Sequence, residues 1–205
     1  MTLTLHLAAG TISMCVHAAL EEAGLPHDLA WVDFGTGAQG QPNYLKVNPK
    51  GRVPALEIDG AVLTEAPALL EWVAEAGGGA LMPRDPLEAA HVREMMSYLA
   101  STVHVNHAHK MRGHRWTDDP AAQAAMRAGV PGTMTASARF LDARLRGDWV
   151  GPDFSVADLH LWNITRWMPG DGVDMDAVPA LRAHHDRVAA RPAVARVIAL
   201  HEAAA

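Results

Sequence analysis

The stretch VPALEIDGAVLTEAPALLEWV, residues 53–73, decides how the chain folds. Ala55–Ile58 and Ala61–Thr64 are short strand-like runs separated by Asp59-Gly60, the dipeptide that favours a type I′ turn, so they read as an antiparallel hairpin. A helix over 66–75 follows at once, and Gly77-Gly78-Gly79 stops it. Upstream, Leu3, Leu5 and Leu7 alternate with Thr4 and His6, the period of a half-buried strand that ends at Gly10. Ser13–Glu22 fits a helix closed by Gly24-Leu25-Pro26, and residues 28–34 read as a second strand. A glycine- and glutamine-rich loop then leads to a short helical turn at Tyr44-Leu45-Lys46. The order β-α-β then β-β-α describes one small α/β layer structure.

Beyond residue 77 strand signals vanish. Residues 77–86 carry three glycines and two prolines and form the expected linker. Helical segments follow over 87–111, 120–146 with a disturbance at Pro131-Gly132, 155–167, 179–190 and Pro192–Ala203, several with proline near the first helical position. The expected division is therefore an α/β unit at 1–77, a linker at 78–86 and an all-helical unit at 87–205.

Composition narrows the function classes. With 205 residues, 49% hydrophobic and 20% charged, the chain can bury a substantial core and is not disordered. Seventeen basic against 23 acidic residues give a net charge of -6, and no basic run tracks a phosphate backbone, so nucleic acid is not an expected partner. No uninterrupted apolar run is long enough for a membrane span, and the start MTLTL lacks the features of a signal peptide. A single cysteine, Cys15, cannot form an internal disulfide, which suits the reducing cytoplasm.

The segment 53–73 resembles the glutathione-binding half of cytosolic glutathione transferases, and NPKGRVPAL, residues 48–56, resembles their bacterial beta class. DFSVADLHLW, residues 153–162, is similar to the segment opening a central helix of that family's second domain. The resemblance implies a thioredoxin-like domain that binds glutathione, followed by an all-α bundle that supplies the pocket for a hydrophobic or aromatic electrophile. It implies detoxification by conjugation, a homodimer, and no metal. Related members also act as isomerases or dehalogenases, and a non-catalytic ligand-binding protein on this fold is a further alternative.

The residues of the first half can be weighed one by one. Val53-Pro54 is ordinarily a trans proline at a strand start. If the bond were cis, Val53 would offer its N–H and C=O to an extended ligand, and the resemblance implies that bond, paired with the cysteinyl unit of glutathione. Glu65-Ala66 sits where strand gives way to helix, so free N–H groups suit a ligand carboxylate and Glu65 suits its ammonium. The plain alternative is an exposed glutamate stabilising a helix N-terminus. Ala66 stands where many members of the family have serine. Lys50, Arg52 and Asn48 flank the same edge, where a cation could take the glycine carboxylate or simply be solvated.

The beta class usually has a cysteine at the position of Ile12, which cannot form a mixed disulfide. Cys15, one helical turn further in, reads as a small buried thiol. Thr11 and Ser13 remain as hydroxyls that could hold the glutathione sulfur as thiolate, Ser13 the preferred one, each with helix N-capping as its structural alternative. His104, His107 and His114, with Met111 between, would project to one side of a helix continuing through them, with His109 pointing elsewhere. His104 lies where the beta class often has an active-site histidine, so His104 and His107 are expected to contact the co-substrate or donate a proton. Packed or solvated histidines are the alternative, and a metal site lacks accompanying ligands at diagnostic spacing. Arg112, Arg115 and Trp116 suggest a pocket tolerant of an anionic or flat aromatic group. Ser155 and Asp158 fit a capping box, a structural role.

Overall fold

The computed structural model describes residues 1–145 and 147–204. Four strands, β1 (Leu3–Leu7), β2 (Asp28–Trp31), β3 (Ala55–Ile58) and β4 (Ala61–Thr64), form one mixed sheet in the order β2-β1-β3-β4. β1 pairs in parallel with β2, while β1–β3 and β3–β4 are antiparallel. The alternation in β1 sets its faces, since Leu3, Leu5 and Leu7 are buried and Thr4 and His6 only partly so. The β3–β4 turn has both central residues at positive φ, Asp59 at 48° and Gly60 at 87°, as a type I′ turn requires.

α1 (Ser13–Glu22) links β1 to β2, α2 (Pro42–Leu45) is a single turn, and α3 (Ala66–Ala76) follows β4. The helical half comprises α4 (Pro86–Tyr98), a π-helical turn Leu99–Val103, α5 (His104–Ala108), α6 (Pro120–Arg144), α7 (Val156–Thr165), α8 (Pro179–Ala189) and α9 (Pro192–Ala203). Every residue of α7 is buried, and α1 is buried from Ser13 through Leu20. Their low polarity follows from packing on several sides, because α1 lies against α3, α7 and α9. One continuous hydrophobic cluster, from Leu5 and Leu56 to Trp162 and Val194, joins the sheet half to the helical half.

Three expectations need correction. The second strand stops at Trp31 rather than Phe34, because Asp33 Oδ1 accepts the N–H groups of Gly35 (2.8 Å) and Thr36 (3.3 Å) and turns the chain. The single helix over 87–111 is interrupted by the π turn and ends at Ala108. Gly113 lies so close to α6 that a Cβ there would stand 3.1 Å from Gln123 Cγ, and the chain bends to fit. His114 is consequently exposed on a separate 3₁₀ turn, Gly113–Arg115, and does not share a face with His104 and His107. Finally, α6 passes through Pro131 without interruption and closes at Arg144; the expected end at 146, like the chain end at 205, lies outside the described residues.

The capping box is present and does more than cap. Asp158 is buried, and its carboxylate accepts Ser155 N–H (2.8 Å), Ser155 Oγ–H (3.0 Å), Val150 N–H (2.8 Å) and His184 Nε2–H (2.8 Å). It thereby fixes the start of α7, the loop before it and α8 together.

Candidate functional site

A cleft of about 490 Å³ opens between the sheet half and α5. Its sheet side comprises the N-terminal end of α1, the loop before β3 and the junction of β4 with α3. All the residues expected at the site line it except Ser13 and the capping pair Ser155 and Asp158, which lie elsewhere.

The loop before β3 is held from behind. Asn48 is 1% exposed; its Nδ2 donates to Arg52 O at 2.6 Å, its Oδ1 accepts Lys50 N–H at 3.1 Å, and Tyr44 Oη–H donates to the same Arg52 O at 2.7 Å. The side chain of Asn48 is therefore spent on shaping the loop. The Val53–Pro54 bond that follows is cis. At the next junction Glu65 occupies φ 76°, ψ 116° before the first turn of α3, a conformation costly for a non-glycine residue and concentrated at ligand clamps. Lys50 Nζ donates to Glu65 Oε1 and, at 2.6 Å, to Thr64 Oγ1. That ion pair leaves Arg52 as the cation of this edge with no acidic partner among the described residues.

At α1 the two hydroxyls exchange their expected places. Thr11 lines the cleft; Ser13 is fully buried, with Oγ accepting Ala8 N–H at 3.2 Å and lying 2.7 Å from Thr11 Oγ1. The preference for Ser13 as the group facing a ligand is thus reversed, because the first turn of α1 points it back at β1. Cys15 is buried, its thiol donating to Ile12 O at 3.0 Å, and burial pushes its ionisation far up, so it is an inert core residue.

Across the cleft, His107 stacks on Trp167 with ring centroids 4.3 Å apart and planes at 17°, and His104 lies 5.1 Å from the same indole. Trp167 Nε1–H donates to Gly10 O at 3.1 Å, tying the end of α7 to the entry of α1. His107 Nδ1 is 2.6 Å from Oδ2 of the buried Asp171, whose Oδ1 takes Lys110 Nζ at 3.2 Å. Burial, and then the positive field of His107, Arg115, Arg112 and Arg52, pulls His104 down to about 4. Burial together with Arg52 and Arg112 also lowers Arg115, as expected of guanidinium groups facing one another. None of these three arginines has an acidic partner among the described residues; Arg112 rests over Phe34 at 5.8 Å. Met111 and Trp116 form an exposed apolar rim.

Sequence reasoning missed Trp167 and His160. His160 lines the cleft from α7, is 0% exposed, has both ring nitrogens without a partner, and is lowered by burial to about 3. His160 is one of four polar residues in α7, with Asp158, Asn163 and Thr165, so no local pattern singled it out.

Comparison with known proteins identifies the family. Residues 12–76 match the model of the glutathione S-transferase N-terminal domain, and residues 107–199 that of its C-terminal domain. Over 89% of its length the chain is 31% identical to a maleylacetoacetate isomerase of Pseudomonas aeruginosa, also covering 89% of that protein. Glutathione S-transferase GstA of Escherichia coli O157:H7 is 26% identical, with 90% of this chain and 92% of that one covered. Among solved structures, a glutathione transferase homologue from Sulfitobacter with bound glutathione is 47% identical with a TM-score of 0.95, covering 100% of this chain and 99% of that one. The chain belongs to the glutathione S-transferase family. Its fold is accordingly a thioredoxin-like unit followed by a helical C-terminal unit. Among the described residues no helix is long and apolar enough to cross a membrane.

Proposed function

We propose that the chain binds glutathione along the loop before β3, holds its sulfur as thiolate at the N-terminus of α1, and joins it to an electrophile lodged against α5. The γ-glutamyl ammonium meets Glu65, its carboxylate meets the N–H groups at Ala66 and the start of α3, and the cysteinyl backbone pairs with Val53 and Pro54 as an added strand. Arg52 takes the glycine carboxylate, while Lys50 braces Glu65 and Asn48 the loop. The observation that carries this reading is the convergence of the strained Glu65 junction, Val53 and the start of α1 on one cleft.

A thiol near ~8.5 in water is only a few per cent ionised at neutral pH, and lowering it by about two units requires roughly 2.7 kcal/mol. One hydrogen bond to the charged sulfur supplies ~1.5–3 kcal/mol and the helix N-terminus ~0.3–1 more. Thr11 is the donor in this reading. In this reading Ser13 accepts Ala8 N–H and donates to Thr11 Oγ1, and the Thr11 hydroxyl, which donates to Ala8 O at 2.9 Å in the structure, turns its proton from that carbonyl to the sulfur; Ser13 is therefore a positioning residue. The thiolate attacks the electrophilic carbon, the S–C bond forms and the leaving group departs with its electron pair. A histidine held near 4 is protonated in about one molecule per thousand at pH 7, so His104 polarises the electrophile as a neutral partner instead of acting as its acid. His107 orients Trp167 and the cleft wall.

A second reading, glutathione-dependent isomerisation of an anionic substrate, is favoured by Arg52, Arg112 and Arg115, which have no acidic partner among the described residues, and by the relative named maleylacetoacetate isomerase. The electrophile class separates the two: conjugation accepts a neutral aromatic halide, isomerisation requires the carboxylate. The reading also divides the chain at 1–77 and 87–205, makes it a cytoplasmic homodimer, and would give way to a non-catalytic binding protein if no turnover is seen. Calorimetry with glutathione on wild type and Glu65→Gln tests the foundation. Micromolar to millimolar binding, weakened at least about tenfold in the variant, is expected; absence of heat at millimolar glutathione overturns it.

A further inference from the structure

Outside the cleft, the far end of α1 and the turn that follows it bring His17, Glu21 and His27 together, one ligand atom from each lying within 4.8 Å of the others. His17 and Glu21 stand four residues apart on α1 and so share a face. His27 precedes β2, where the chain has reversed through Gly24 at φ 63°. In each of the three, one polar atom is already engaged by a neighbour. His27 Nδ1 lies 2.8 Å from Leu25 O; a carbonyl can only accept, so Nδ1 carries the proton and Nε2 keeps a free lone pair. His17 Nδ1 lies 3.2 Å from Nε2 of the buried His201, which leaves its own Nε2 available when Nδ1 donates. Glu21 Oε2 accepts Arg196 Nη2–H at 2.9 Å and leaves Oε1. This is the outer-shell pattern that fixes the tautomer and orientation of metal ligands.

We propose that His17, Glu21 and His27 bind a divalent transition metal of the zinc class, with water completing the coordination. Two imidazoles and one carboxylate suit such an ion and disfavour magnesium or calcium, which take oxygen ligands. Ligands about 2.0–2.1 Å from a tetrahedral ion stand about 3.3 Å apart, so the three atoms need to close by side-chain rotation, which Glu21, with its side chain 28% exposed and its Arg196 partner itself exposed, supplies with that pair following it. Along α1 His17 stands about 7.5 Å and Glu21 about 13.5 Å from Ile12, and none of the three ligands lines the cleft, so the site takes no part in the glutathione chemistry. Its effect is mechanical: the ion ties the start of β2 to α1 and, through His201, to α9, and stabilises the folded chain by mass action.

The test uses the untagged full-length protein, stripped with chelator and free of glutathione, which itself binds zinc. Zinc chloride is titrated against a competing chromophoric chelator, and thermal unfolding is followed in parallel. One Zn²⁺ per chain at a Kd of about 10 µM or tighter, with a rise in Tm that millimolar magnesium does not reproduce, is expected. His27→Ala and Glu21→Gln should each weaken binding at least about tenfold, while His91→Ala, at an exposed histidine elsewhere, should leave it unchanged. Absence of one-site binding, or equal affinity in His27→Ala and wild type, overturns the proposal. Neither variant touches the cleft, so this result is independent of the glutathione titration.

Discussion

The two walls of the cleft are built on different physics. The sheet side is backbone geometry: a loop clamped by Asn48 and Tyr44, Glu65 held at positive φ, and the first turn of α1. The helical side is side-chain chemistry: His107 stacked on Trp167 with His104 tilted against the same indole, neutral His160 beneath, and guanidinium groups without an acidic partner among the described residues. A backbone cradle recognises a constant ligand such as a peptide, whereas side chains on a bent helix can be exchanged to suit a changing one. The first wall therefore suits a ligand of constant backbone, and the second is the one that substitution can retune.

Substitutions can break that contrast, beginning with the largest effect. Asp158→Ala removes the acceptor of four hydrogen bonds in a fully buried place, strands donors on three elements and should cost about 3–5 kcal/mol, measured by urea unfolding. A loss under about 1 kcal/mol would mean that the bonds at Val150 and His184 add nothing to an ordinary cap. Next comes pH. His17, His104 and His201 sit near 4 and His160 near 3, all lowered by burial, so between about 6.5 and 4 the unfolded chain binds more protons than the folded one. Stability is then complete above pH 6.5 and falls as pH drops towards 4, by up to about 1.4 kcal/mol per pH unit for each histidine, as read from unfolding midpoints at several pH values. A flat profile down to pH 4.5 would show that water or counter-ions reach these rings.

Smaller changes sharpen the contrast at the walls themselves. Arg112→Ala should reduce kcat/KM for an anionic electrophile about tenfold and leave that for a neutral one within about twofold. Equal losses on both would place Arg112 in glutathione binding and move the boundary between the walls. Lys50→Met breaks an exposed ion pair and should alter stability by less than about 1 kcal/mol. Its effect on glutathione affinity reports whether Glu65 needs the lysine to hold its place.

What the sequence made legible follows the same division. β3, β4, the type I′ turn and the boundaries of α1 are local matters, set by Asp59-Gly60 and by Gly24, and they stand where they were expected. The α5 region depends on distant contacts. The approach of α6 to Gly113 and the π turn at Leu99–Val103 decide which histidines reach the cleft, and no local pattern encodes either. Thr11 and Ser13 are adjacent in type and position, and only the direction of one helical turn, set by Ala8 and β1, determines which of them meets a ligand.

The account turns on the ionisation of bound glutathione, and its thiolate absorbance, titrated against pH on the protein, measures that directly. Wild type should ionise the thiol about two units below its value in water, Thr11→Ala should return most of that shift, and Ser13→Ala only part of it. An undisturbed titration in Thr11→Ala, or a thiol that titrates on the wild-type protein as it does in water, would contradict the proposed role of this hydroxyl pair.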